Sequence, residues 1–355
     1  QSTARWLDRP YLITEFGFVF WNRYRHEQGL VYGACASLQN WNGIACHCNQ
    51  AVLYGDALVS FQVGHDPVGR ASELVTAFCY LRGDVRPSPH TVEIPISEEF
   101  AFGGRAMGAI PDELSRMWIW SRIGLTFAGR YRAPVNADLR ITPDGTAQTG
   151  GSDMFEEIRA TRGTAGLERY CALLKRDGIL PGNNRSNPAR GLYESDTGEI
   201  FMNVKTAELS LQTVRLEGAV LKSDHPVTLD ALTVERCTVP VAVTVVSLDR
   251  RSIRNADRLL AVIATDARNS NMRFSDKEET TLESIGTLPV LVKTGRFRLA
   301  IARPDQAEFH AYALKLNGER ASELPVSRRN GRLILEIDSG ASPEEPALFY
   351  ELVRK

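Results

Sequence analysis

No apolar run in these 355 residues is long enough to cross a bilayer. Long basic blocks are missing too: 42 Lys and Arg stand against 43 Asp and Glu, for a net charge of -1. Nucleic acid and anionic membrane are therefore poor partners for this chain. The sequence has no Gly-x-Ser-x-Gly elbow, no phosphate-cradling P-loop and no zincin His-Glu-x-x-His. Ser, His and Asp occur, but nothing orders them into a triad. The six cysteines, at 35, 46, 48, 79, 171 and 237, do not form a disulfide framework. Four of them lie in apolar helical or strand patterns, the setting of buried thiols. Residues 1–6 carry no apolar targeting segment, which reads as a mature form or a fragment.

What is present is ordinary globular material, 43% hydrophobic and 24% charged, with length for two or three domains. Residues 11–17 read as a strand whose apolar start, Tyr11-Leu-Ile13, suits a parallel strand buried on both faces. A helix is expected over 21–39, a turn at Asn40-Trp-Asn-Gly43 and a second strand over 44–48. Asp66 caps a further helix with Pro67 at its first position. This order is that of two β/α units. Residues 86–195 read as a mixed connecting region, with an extended stretch at 92–96, a short helix over 111–120 and a better one over 166–175. From about 197 the hydrophobic period becomes two. Strands are expected at 200–206, 208–217, 232–236, 240–248, 258–264, 289–293, 297–301, 311–316, 332–337 and 348–353. Asn317-Gly318 and Asn330-Gly331 supply hairpin turns. Residues 196–355 thus predict an antiparallel β-sandwich.

The residue that carries chemistry is Glu15, in Tyr11-Leu-Ile-Thr-Glu-Phe-Gly17. A carboxylate at the C-terminal tip of a barrel strand stands where (β/α)8 enzymes keep their catalytic groups. The bland reading is a strand-end carboxylate paired with an arginine. Trp41 could stack on a pyranose or wedge in the core. Phe16 could line a subsite or cover the following helix. Arg23, Arg25, His26 and Glu27 read as a solvated or ion-paired helix face. A metal at Cys46-His47-Cys48 is disfavoured, because alternate strand residues face opposite sides and cannot chelate one ion together.

Several stretches together resemble the last two β/α units of (β/α)8-barrel retaining glycoside hydrolases, the cellulase-like and β-galactosidase-like clan. They are Pro10 to Gly17, Asn22-Arg-Tyr-Arg25, Glu27, Gly29, Ala34 to Ile44, Asp66-Pro67 and Phe78 to Val85. Val245-Val-Ser-Leu-Asp249, Arg258-Leu-Leu260, Ala267 to Met272 and Leu288-Pro-Val-Leu-Val292 resemble the accessory sandwich of such enzymes. The resemblance implies a TIM-barrel remnant over 1–85, a β-sandwich over 196–355 and hydrolysis of a β-glycosidic bond with retention. Glu15 would be the nucleophile, an oligo- or polysaccharide the substrate, and no cofactor is required. Secretion or a periplasmic home would suit such an enzyme.

Two departures accompany the resemblance. At the second strand, Ala45-Cys-His-Cys-Asn49 replaces the usual aromatic platform, so His47 or Asn49 would contact the sugar instead. The acid/base Glu of this clan usually follows an Asn, and no Asn-Glu pair occurs in the sequence. Two β/α units cannot close an eight-stranded barrel. The expectation is therefore a C-terminal barrel portion completed by a second polypeptide or an N-terminal fragment that supplies the acid/base. The alternative is a non-catalytic carbohydrate-binding or scaffold protein derived from such an enzyme.

Overall fold

The computed structural model describes residues 4–46, 55–60, 62–102, 112–129, 135–142, 157–159 and 163–355. The chain forms two compact units, each assembled from separate stretches. One comprises Gln1–Ile13, Cys35–Ile44 and Arg86–Thr206; the other comprises Thr14–Ala34, Ala45–Val85 and Ala207–Lys355.

The first third of the chain runs strand, helix, strand, helix: β1 (Leu12–Phe16), α1 (Gln28–Leu38), β2 (Gly43–Cys46) and α2 (Pro67–Thr76). β1 and β2 form a two-stranded sheet. Burial of β1 on both faces does not hold. Ile13 and Phe16 are buried, while Leu12 is 61% exposed and Thr14 and Glu15 are exposed. A two-stranded sheet has too few neighbours to cover its second face. α2 begins as its sequence dictates. The Asp66 side chain accepts from Val68 N at 3.1 Å, and Pro67 takes the first position, where no N–H is needed.

The first unit is organised around a parallel sheet: β3 (Thr91–Ile96), β4 (Arg122–Phe127), β5 (Leu139–Thr142) and β6 (Glu157–Arg159), in the order β4-β3-β5-β6. All six residues of β3 are buried, as expected of a central parallel strand. Glu93 within it is fully buried and held between neighbours: Arg140 Nε on β5 donates to it at 2.6 Å, and Thr126 Oγ1 on β4 at 2.6 Å. The helix Gly163–Arg176 buries Leu167, Tyr170, Leu173 and Leu174, one stripe at helical spacing. An antiparallel hairpin of Leu192–Glu194 and Ile200–Asn203 also belongs to this unit.

The second unit carries two large antiparallel sheets, beside two-stranded ones. Seven of its strands run in the order Arg320–Leu324, Phe309–Leu314, Phe349–Arg354, Arg258–Ala264, Val241–Ser247, Leu216–Leu221, Glu208–Gln212. The other sheet has five, with Leu232–Cys237, Arg296–Ala302 and Arg332–Asp338 at its centre. Alternate residues of both sheets, such as Val241, Val243 and Val245 from one and Leu299, Ile301 and Leu335 from the other, enter one buried core. That is a β-sandwich. Asn330 and Gly331 (φ 50° and 70°) close a two-residue hairpin between Arg329 and Arg332, the turn read from the sequence. The single strand expected over 208–217 is in fact two. Thr213 breaks it, its hydroxyl accepting from Leu216 N at 3.0 Å while its backbone N–H donates to Leu216 O at 2.9 Å.

Within this unit α1 approaches α2 closely through Gly29 and Gly33, one turn apart. A Cβ on Gly29 would lie 2.7 Å from Ser72 O, and one on Gly33 would lie 2.9 Å from Cys79 Cβ. Only hydrogen fits at either place.

Candidate functional site

At the start of β1, Tyr11 and Asn42 fix the strand. Tyr11 N donates to Asn42 Oδ1 at 2.9 Å and Asn42 N returns to Tyr11 O at 3.0 Å. A Cβ on Gly43 would lie 2.8 Å from Leu12 Cδ2, the tip of an exposed side chain that can turn aside. Glu15 is next to last in β1, exposed, and makes no ion pair or hydrogen bond among the described residues. Phe16, 4% exposed, packs edge-on to Tyr32 with centroids 4.6 Å apart. Trp41, also 4% exposed, packs edge-on to Tyr11 at 5.6 Å. Both rings are thus buried. His47 and Asn49 lie outside the described residues.

Of the two readings of the charged segment after β1, solvated or ion-paired, Arg23 meets the first and Arg25 the second. Arg25 is 2% exposed and bridges three stretches of the second unit. Its Nε donates to Asp66 Oδ2 at 2.6 Å, its Nη1 to Asp266 Oδ1 at 2.8 Å and to Asn22 O at 3.1 Å, and its Nη2 to Ala267 O. Burial works against the guanidinium charge, and Asp66 and Asp266 more than offset it. Asp66 therefore does two things at once: it caps α2 and neutralises Arg25.

Beside this network a cavity of about 530 Å³ opens within the second unit. Arg23, Tyr24, His26 and Glu27 line it, and Glu15 does not. Lys222, which follows strand Leu216–Leu221, and Lys277 and Lys293, from later loops, line it too. His26 is 7% exposed. Burial, with a smaller opposing pull from Asp266 and a push from Arg25, lowers its pKa to about 4, so the ring is neutral. Its Nδ1 is buried without a hydrogen-bond partner among the described residues. Glu27, 4.0 Å from His26 Nε2, has its carboxyl raised to about 7 by desolvation. Sequence reasoning missed this cavity, because its walls come from segments far apart in the chain.

The first unit brings one Ser, His and Asp together, but not as a triad. Asp196 accepts from Ser88 Oγ at 2.5 Å and contacts His90 Nδ1 at 3.0 Å through the same oxygen. Ser88 faces the carboxylate and not the imidazole, so no base is set to activate its hydroxyl. Burial raises the Asp196 pKa, with the Ser88 and His90 contacts opposing. Cys35, Cys79, Cys171 and Cys237 are buried free thiols, and Cys46 is a partly buried one. Among the described residues no three His, Cys, Asp or Glu side chains converge to hold a metal. No protein-family model matches the chain, and no curated protein matches it.

Proposed function

We propose that β1, α1, β2 and α2 are the last two β/α units of a (β/α)8 barrel, and that the assembled protein is a retaining β-glycosidase with Glu15 as its nucleophile. One observation carries the reading: Glu15 is exposed near the end of its strand and has no partner among the described residues. A carboxylate kept there for stability would be expected to hold an arginine or a ring of backbone N–H groups. The strand-helix-strand-helix order supports the same reading, as does a sandwich later in the chain.

In this reading Glu15 attacks the anomeric carbon, and the glycosidic oxygen leaves as a carboxylic acid outside this chain protonates it. The product is a glycosyl ester on Glu15. The deprotonated acid then takes a proton from water, which attacks the same carbon and frees Glu15, giving net retention. The other six strands and the acid/base belong to a second polypeptide or segment. The reaction needs no cofactor, and the substrate is an oligo- or polysaccharide.

The test is turnover of aryl β-glycosides by the assembled barrel, compared with its Glu15→Gln variant. Loss of at least about a thousandfold is expected, the scale on which removal of a nucleophile acts. Unchanged turnover would overturn the assignment. The second reading, a carbohydrate-binding or scaffold protein, draws on the burial of Phe16 and Trp41. It predicts sugar binding without turnover in the same preparation, and the same affinity in Glu15→Gln.

A further inference from the structure

We propose that the cavity beside Arg25 in the second unit is a binding site for a small oxyanion-bearing molecule, carrying a carboxylate, phosphate or sulfate group and no larger than a sugar derivative. This goes beyond the reading of Glu15, which does not line the cavity.

The argument is one of unbalanced charge around a cavity. Three acids and five cationic side chains line the cavity. Two of the acids are already neutralised. Asp266 lies between Arg25 (2.8 Å) and Arg268 (3.2 Å), and Glu279 takes Arg268 at 2.5 Å. Arg23 reaches only a carbonyl, that of Glu278 at 3.2 Å, and the ring of Tyr24. Lys222, Lys277 and Lys293 have no carboxylate within ion-pair distance among the described residues. Four cations are thus left over against one acid, Glu27. That acid is the one whose desolvation favours the protonated form, so near pH 7 it repels an anion only in part and can donate a hydrogen bond. The His26 ring lines the cavity as well, and being neutral it adds no charge there. The volume, about 530 Å³, is that of a small-molecule site.

The test is titration calorimetry on the full chain with inorganic phosphate, sulfate, glucuronate and, as a neutral control, glucose. At least one oxyanion should bind and glucose should not. Preference for glucuronate would identify a sugar acid as the source of the charge, and preference for phosphate a phosphorylated metabolite. Lys222→Ala, Lys277→Ala and Lys293→Ala should each weaken binding about fivefold, the effect of one surface charge at about 4 Å. These side chains are exposed, so thermal melts of the variants should match the parent. The His26 imidazole resonances should move on addition of the oxyanion that binds. Absence of binding by all three oxyanions, equal binding of glucose, or an affinity unchanged in the triple-lysine variant would overturn the proposal.

Discussion

Arg25→Met is the substitution whose consequence the structure fixes most closely. Methionine matches the stem of arginine but offers nothing to Asp66, Asp266 or the carbonyls of Asn22 and Ala267. Asp66 is fully buried and would be left charged without its counter-ion. Removing one partner of such a buried pair costs about 3–5 kcal/mol, because the remaining charge is stranded. For a unit of this size that corresponds to a fall in Tm of roughly 6–20 °C. Asp66→Asn separates the two duties of Asp66. Asparagine still caps α2 through Val68 N, and Arg25 keeps Asp266, so the loss should be smaller than in Arg25→Met. The double variant should then cost less than the sum of the singles by about 0.5–3 kcal/mol, since the stranded charge is gone. Urea unfolding of the four proteins, followed by circular dichroism, measures this cycle. Additive losses, or a loss below about 1 kcal/mol for Arg25→Met, would mean that the network is not the clasp described above.

Gly29→Ala and Gly33→Ala should each destabilise the fold. Alanine gains about 1 kcal/mol of helix propensity, but its Cβ would sit within 3 Å of atoms of α2 or its continuation, an overpacking cost of about 1–3 kcal/mol. A rise in Tm for both variants would refute the close approach of the helices. The pH dependence of stability should hide two opposed contributions. His26, with its folded pKa lowered to about 4, stabilises above its unfolded value near 6.5, and this is lost as pH falls from there toward 4. Glu27, with its folded pKa raised to about 7, stabilises below its unfolded value near 4.5, and this is lost as pH rises through about 7. In Glu27→Gln only the His26 slope remains, so stability should rise more steeply from pH 4 to 6.5 than in the parent. Identical slopes measured by denaturant unfolding at several pH values would contradict the burial of both groups.

Local signals in the sequence carried far. Asp66-Pro67 announces the start of α2, and Asn330-Gly331 its hairpin, because each acts through its own backbone neighbours. Strand 258–264 is found at its expected limits because its continuous apolar run, Leu259–Ala264, is bounded by polar residues on both sides. Long-range features were not legible. Of the parallel sheet β3–β6 only the stretch 92–96 reads as extended; its partners are strands of three to six residues, and Arg140 interrupts the apolar pattern of β5 as Glu93 does that of β3. Each charge makes sense only once the other is beside it. The burial of Arg25 is hidden for the same reason: Asp266 is 241 residues away. Glu15 could be picked out because a strand-end carboxylate is a local pattern. The cavity could not, since Arg23, Lys222, Lys277 and Lys293 share no spacing.

The central claim is that Glu15 is a nucleophile, and covalent trapping tests it most directly. The assembled barrel is incubated with 2,4-dinitrophenyl 2-deoxy-2-fluoro-β-glycosides of several sugars, then digested for peptide mass spectrometry. The dinitrophenolate leaves without protonation, so ester formation depends on the nucleophile and not on the acid/base. The account predicts a fluoroglycosyl mass on the peptide that contains Glu15, abolished in Glu15→Gln. Release of dinitrophenolate with the label on another carboxylate, or with Glu15→Gln labelled equally, would contradict it.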